Sequence, residues 1–269
     1  MAIVTISRQI GSLGDEIAKA LADKLGYEYM EKSKISEVLT KLGFSVSDVE
    51  IYDEKKPSIW RTLSIQNKRF SHLIRAAVYE LASNENVIIG GRGGQAILKN
   101  FPGTLHVRVV APHTTRLSRL VDQMGCDENK AEQIIRRNDR DSSGYISTHF
   151  AANWDDQDLY DLVINTRSMS LDTAVAMITC ALGASEFERS SQAAEKLRDL
   201  ALTQKAKADL LGISGLKGVN LGVEKGVANF SGFASSPTAI MECESTVSKI
   251  KGITNVNNQI KLVKEEHVL

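Results

Sequence analysis

A short β-branched run that ends in a polar, glycine-containing loop and resumes at helical spacing leaves a chain few architectures. Here Ala2 to Ile6 reads as a buried strand and Ser7 to Gly14 as a loop. Ile17, Ala18, Leu21, Ala22 and Leu25 then recur with helical period up to Gly26. The unit repeats downstream. Strand candidates at Val87 to Ile89, Leu105 to Val110 and Leu162 to Ile164 alternate with helical patterns at Phe70 to Leu81, Thr114 to Met124 and Leu171 to Leu182. Such alternation predicts an α/β fold, a mostly parallel sheet with helices on both faces.

The pattern changes after Leu182. Gly183-Ala184-Ser185 and Ser190-Ser191-Gln192 are small and polar, so a first domain is expected over 1–183, a linker over 184–192 and a second domain over 193–269. A helix near Ala194 to Leu211 precedes Val219, Leu221 and Val223 in strict alternation, a Glu224-Lys225-Gly226 turn, and a strand through Phe233. Ile240, Cys243, Val247 and Ile250 step at helical intervals, and Val256, Ile260 and Leu262 share one side of a last strand. The predicted order is αββαβ.

Charge and cysteine usage exclude several functions. Thirty-three basic residues balance thirty-three acidic ones, so no global positive field holds a nucleic acid. Cys126, Cys180 and Cys243 are far apart and share no metal-ligand spacing with the five histidines, which predicts neither a disulfide nor a zinc site. No apolar run is long enough for a membrane span and no secretory signal opens the chain, so the expected compartment is the cytoplasm.

The first loop can carry chemistry, because a strand-to-helix turn aims backbone N–H groups and the positive end of the helix dipole at one point. Laid on Gly-x-x-x-x-Gly-Lys-Ser/Thr, only Gly14 fits; Gln9, Asp15 and Glu16 fall where the first glycine, the lysine and the hydroxyl residue belong. Taken alone, the loop reads equally as a phosphate seat or as an ordinary turn with acidic residues at the positive helix end.

The wider series resolves more. Thr5-Ile6-Ser7-Arg8-Gln9-x-Gly11-Ser12-x-Gly14-x-Glu16-Ile17-Ala18 is followed by Ile88-Ile89-Gly90-Gly91-Arg92-Gly93, Phe101-Pro102, Arg116, Arg119, Asp139, Tyr145, Trp154 and Tyr160 to Thr166. This order resembles the cytidylate kinase-like family, relatives of the P-loop nucleoside monophosphate kinases, over about residues 2–180. The resemblance implies a P-loop kinase-like sheet that binds ATP and Mg²⁺ and passes a phosphoryl group to a nucleoside monophosphate or similar small acceptor. Phosphoryl transfer needs little covalent chemistry from the protein, so convergent arginines and a metal ion neutralise the developing charge.

By the same resemblance, Ser7, Gly11, Ser12, Leu13, Gly14, Asp15 and Glu16 would hold ATP; to compensate for Asp15, Arg8 would swing inward and Glu16 would help to hold Mg²⁺. Arg8, Arg136 and Arg140 would act in catalysis, the last two from a lid that includes Arg137. Arg92, Asp53 and Arg116 would bind the acceptor. Arg119 and Arg137 also read as solvated helix-face arginines.

Three departures fall on working positions. Asp15 stands where relatives carry a cation, Ser142 where they carry a lid arginine, and Gly93 where an aspartate helps to recognise cytosine. A nucleotide sensor without turnover, and a structural protein without a ligand, therefore stand beside the enzyme.

The C-terminal αββαβ order, with Lys251-Gly252-Ile253 and Asn255-Val256-Asn257-Asn258, resembles the BON domain. That resemblance implies docking to a protein or phospholipid partner. The alternative is an appendage that stabilises or dimerises the N-terminal part.

Overall fold

The computed structural model describes residues 2–45, 65–84, 86–188 and 190–263. Strand β1 (Ile3–Arg8) is the middle of a five-stranded parallel sheet ordered β2-β3-β1-β4-β5. Its companions are β2 (Glu28–Met30), β3 (Val87–Gly90), β4 (Thr104–Val110) and β5 (Leu162–Asn165). Ile6 pairs with Gly90 on one side and Val107 on the other, so Arg8 and the 90–93 loop emerge at the same sheet edge. Ligands bind at that carboxyl edge of an open parallel sheet. Ile3, Val4, Ile6, Val87, Ile88 and Ile89 are all buried, as a sheet covered on both faces requires.

Two helical layers cover the sheet. On one face Ile17 and Leu21 of α1 (Gly14–Leu25) and Val175 and Ile178 of α7 (Leu171–Leu182) pack with Val4, Ile6, Val107 and Val109. On the other, Ile35 and Leu39 of α2 (Lys32–Lys41) join Phe70, Leu73 and Ile74 of α3 (Ile65–Ala82) against Ile3, Val87 and Ile89. A one-turn helix, α4 (Gly94–Ile97), follows β3. Beyond the sheet, α5 (His113–Met124) and α6 (Glu128–Phe150) meet through Leu120, Ala131 and Ile135.

The predicted P-loop kinase-like α/β arrangement is therefore present. Helix α6 exceeds what periodicity announces, because residues 136–144 are almost wholly polar. It is held instead by its Asp127 cap, whose carboxylate accepts from the Lys130 N–H at 2.8 Å, and by the i,i+4 pairs Glu132–Arg136 and Arg137–Asp141.

The C-terminal region runs α8 (Ala193–Leu210), β6 (Leu216–Glu224), β7 (Val227–Ala234), α9 (Pro237–Ser248) and β8 (Asn255–Leu262). This is the predicted αββαβ order. Lys225 and Gly226, at φ 49° and 76°, turn β6 into the antiparallel β7, and β8 returns parallel to β7. Asp199 of α8 fixes the turn, accepting from the N–H groups of Lys225 (2.7 Å) and Gly226 (3.0 Å).

Helix α8 serves two cores. Leu197 and Ala208 belong to the cluster under α3, whereas Ala206 and Leu210 pack with Leu221, Phe230 and Val247 of the C-terminal sheet and helix. Leu197 has no exposed surface. Leu197→Ala is expected to lower unfolding stability by about 2–5 kcal/mol. Urea denaturation checks this, and an unchanged midpoint would show that α8 adds nothing to the first core.

Candidate active site

Between β1 and α1 the chain turns through Gly11 and Leu13, both left-handed at φ 75° and 66°. For a bulky residue such as Leu13 this conformation is strained and persists only where surroundings impose it. They do. The Ser12 hydroxyl, fully buried, donates to the carbonyls of Gln9 (2.7 Å) and Val109 (3.1 Å), and Thr166 Oγ1 donates to the Ser12 carbonyl at 2.9 Å. Arg119 donates to the Gly11 carbonyl (3.2 Å) and to the Thr166 carbonyl (2.8 Å). Arg119 is thus a clamp beneath the loop.

Arg8 lies across the start of α1. A Cβ added at Gly14 would overlap its side-chain stem, and one at Gly91 would overlap Nη1, so the guanidinium bridges the first loop and the loop after β3. Arg8 Nε donates to Asp15 Oδ1 at 2.9 Å, and the Tyr29 hydroxyl donates to the same oxygen at 3.1 Å. Burial and the Asp15 charge push the Tyr29 hydroxyl well above its ordinary range, so it stays a donor. The anion that replaces the expected cation is therefore paired, and a cation from β1 covers the loop.

A cavity of about 600 Å³ opens beside Arg8. Gly91, Arg92 and Gly93 form one wall, all left-handed at φ 72°, 56° and 74°. Lys32 lines the cavity from the start of α2, Trp154 from beside Ser7, and α6 through Ile134, Arg137, Asn138, Asp141, Ser142 and Tyr145. Arg92 is set against the Tyr145 hydroxyl; burial pushes the arginine down and the tyrosine up, each partly offset by the other.

The other candidate residues take different places. Arg116 is buried and pairs with Asp139 through two bonds (3.0 and 2.7 Å), joining α5 to α6 rather than lining the cavity. Arg136, Arg137 and Arg140 are all exposed and sit beside Glu132 or Asp141; of the three, Arg137 lines the cavity. Glu16 accepts from Gln123 of α5 at 3.1 Å. Ser142 lines the cavity where the lid arginine was absent. Asp53 lies outside the described residues.

The position of Gly93 has no room for an aspartate. Its φ is 74°, and an added Cβ would lie inside the Phe150 ring. Phe150 is held by Tyr145, ring centroids 5.7 Å apart, and by the Arg75 guanidinium 5.0 Å from its centroid.

Behind Ser7 lies a network that periodicity did not reveal. Arg108 of β4, 5% exposed, donates to the Trp154 carbonyl (2.6 Å), the Tyr160 hydroxyl (3.0 Å) and Asp155 (2.6 Å), and stacks 4.2 Å from the Trp154 centroid. Trp154 Nε1 and the Tyr160 hydroxyl in turn donate to Ser7 Oγ at 2.9 and 3.3 Å. The signal was present: His106 and Arg108 are polar at alternate positions in an otherwise apolar strand.

Sheet, loop and facing arginines define a kinase-like, nucleotide-binding α/β protein. The sequence model of the cytidylate kinase-like family matches residues 3–168, and the chain belongs to that family. It is 27% identical over 177 residues to the cytidylate kinase of Archaeoglobus fulgidus, covering 65% of this chain and 91% of the relative. To that of Thermoplasma acidophilum it is 24% identical over 168 residues, covering 62% and 84%. Among solved structures, an uncharacterised protein from Eubacterium ventriosum superposes with a TM-score of 0.52 at 24% identity, covering 68% of this chain and 99% of that one. These matches leave the C-terminal sheet uncovered by the family model. Among the described residues no helix is long and apolar enough to cross a membrane, and no group of three or more His, Cys, Asp or Glu could hold a metal.

Two outcomes follow from this geometry. Gly93→Asp is expected to destabilise the protein by about 1–3 kcal/mol through overlap and backbone strain. Gly93→Asp with Phe150→Ala should recover the steric part relative to Phe150→Ala alone; thermal unfolding of the variants measures the coupling. His149 gives a pH dependence, because burial, aided by Arg75, pushes it down from 6.5 to about 4. Between those values the unfolded chain binds a proton that the folded chain does not, so stability falls as pH drops from 6.5 towards 4. Burial depresses His72 and His106 in the same direction. His149→Asn should therefore flatten, without abolishing, the loss of stability between neutral and acid pH; an unaltered slope in denaturation curves would refute the assignment.

Proposed function

We propose that this chain transfers the γ-phosphate of ATP-Mg²⁺ to a nucleoside monophosphate or a similar small acceptor. The observation that carries this reading is Arg8, whose guanidinium joins the first loop to the Arg92 loop at the edge of the 600 Å³ cavity. In that position a cation can neutralise charge on a transferring phosphoryl group. The loop from Ser7 through Gly14 would seat the ATP phosphates on its backbone and on the positive end of α1.

Arg92, with Lys32 and Arg137 on adjoining walls, would bind the acceptor's anionic group. Arg136 and Arg140, exposed on the next faces of α6, would approach only if that helix moves over bound substrate, and Arg116 would act by holding α6 through Asp139. Mg²⁺ keeps several waters and needs few protein ligands. Asp15 and Glu16 would be its carboxylates, each after giving up a partner, Asp15 the Arg8 and Tyr29 donors and Glu16 the Gln123 amide. When bound, the ion would supply charge neutralisation on the triphosphate.

Cytosine recognition through position 93 is not part of the reading, since Phe150 fills the space. The division into 1–183, a linker over 184–192 and a BON-like domain over 193–269 belongs to the same proposal, as do the docking role of that domain and a cytoplasmic setting. A second reading, a nucleotide sensor, is favoured by one feature: the Arg8–Asp15 pair must rearrange or share its charge when phosphate arrives, which can report occupancy without turnover.

Single-turnover transfer from ATP to a panel of monophosphates, with and without Mg²⁺, separates the two. Arg8→Ala is expected to reduce transfer by about 10²-fold or more, in line with loss of one oriented donor. Metal-dependent ATP binding by the parent with no transfer to any acceptor would sink the enzyme and leave the sensor.

A further inference from the structure

A second cavity, of about 900 Å³, lies between the N-terminal helices and the C-terminal sheet. Its floor is apolar, formed by Leu42, Ala76, Ala201, Leu202 and Ile250. Leu202 approaches Gly252, where an added Cβ would meet its Cδ2 at 3.1 Å. Such a floor beneath a polar rim, at this volume, is the ordinary construction of a small-molecule site.

The rim is unbalanced in charge. Lys41, Arg198, Lys225, Lys249 and Lys251 reach it from the ends of α2 and α9, from α8, from the β6–β7 turn and from the following loop. Among the described residues none of these five side chains has an ion pair or hydrogen bond. Two of the four carboxylates in the groove are already committed, Asp199 to the turn N–H groups and Asp209 to Lys205. Asp199 keeps its charge because its partners are neutral N–H groups, so three carboxylates, Asp199, Glu80 and Glu195, stand against five cations. Surfaces without a ligand interleave the two signs, and convergence of one sign over an apolar floor focuses field on an anion.

We propose that this groove binds a soluble phosphate ester of nucleotide size, with its phosphates on the cationic rim and its body on the Leu202 and Ile250 floor. The groove is distinct from the cavity beside Arg8, and binding there does not depend on phosphoryl transfer. The two are linked by α2, which begins at Lys32 in the first cavity and ends at Lys41 in the second.

The test is methyl NMR of the full chain titrated with ADP, reading Leu202 and Ile250 in the groove and Ile134 and Ile146 in the first cavity. The groove signals should move saturably, and should do so equally in Arg92→Ala. Inorganic pyrophosphate, which has no body to cover the floor, should bind about tenfold more weakly at those signals. Lys249→Ala/Lys251→Ala should weaken the groove response by about tenfold while the Ile134 and Ile146 responses keep their parent midpoint. Both lysines are exposed and without partners, so the fold is retained, and the unchanged first-cavity response verifies it. Groove signals that stay still with ADP, that move equally in the double variant, or that respond only to phosphatidic acid vesicles would overturn the proposal.

Discussion

The buried guanidinium of Arg108 is the constraint on which the site rests. A charge removed from water in the middle of a parallel sheet is tolerable only where its donors are met. Here the Trp154 carbonyl, the Tyr160 hydroxyl and Asp155 meet them, and the Trp154 ring covers its face. Because Trp154 and Tyr160 also hold Ser7, satisfying Arg108 draws the segment after α6 onto the end of β1. The back of the cavity is therefore built by a solvation requirement, shared among three acceptors.

On the open side the governing term is the sign of charge at the start of α1. An anion there is stabilised by the helix dipole, which accounts for Asp15 as a local choice but sets a negative charge where the P-loop motif has a positive one. Arg8 reverses it from a neighbouring strand. The arrangement depends on two glycines, since any side chain at Gly14 or Gly91 would displace the guanidinium. The cation beside the start of α1 thus comes from an arginine seven residues before Asp15, an exchange of position that no motif spacing announces.

That exchange shows why some parts were legible in the sequence and others were not. The sheet and its flanking helices follow from apolar period, and Val87, Leu162 and Leu171 open their elements where the pattern places them. The C-terminal order was equally readable, because the alternation Val219, Leu221, Val223 needs one buried face. Helix α6 was not, since its middle turns are polar and are tied down by pairing, above all Arg116 of α5 on Asp139, rather than by an apolar period. Arg136 and Arg137 are adjacent in sequence, yet a step of about 100° separates their faces, and only a fixed helix phase selects Arg137 for the cavity. The roles of Arg116 and Phe150 depend on contacts between distant segments. No local pattern says that one arginine is consumed by Asp139, or that a ring occupies the space an aspartate needs.

Helix α8 carries these local arrangements to the scale of the whole molecule. Its Leu197 and Ala208 lie in the first core and its Ala206 and Leu210 in the second, so the two sheets are joined by packed side chains as well as by the chain. Well-packed interiors move as units rather than deforming smoothly. A shift of α8 must therefore be taken up by α3, against which Leu197 is packed, or by the Asp199 contact that shapes the β6–β7 turn. Helix α2 shares the core with α3 and presents Lys32 to the cavity beside Arg8. The C-terminal sheet is consequently continuous with the walls of that cavity through packed elements, whereas a tethered appendage would be joined to them by the chain alone.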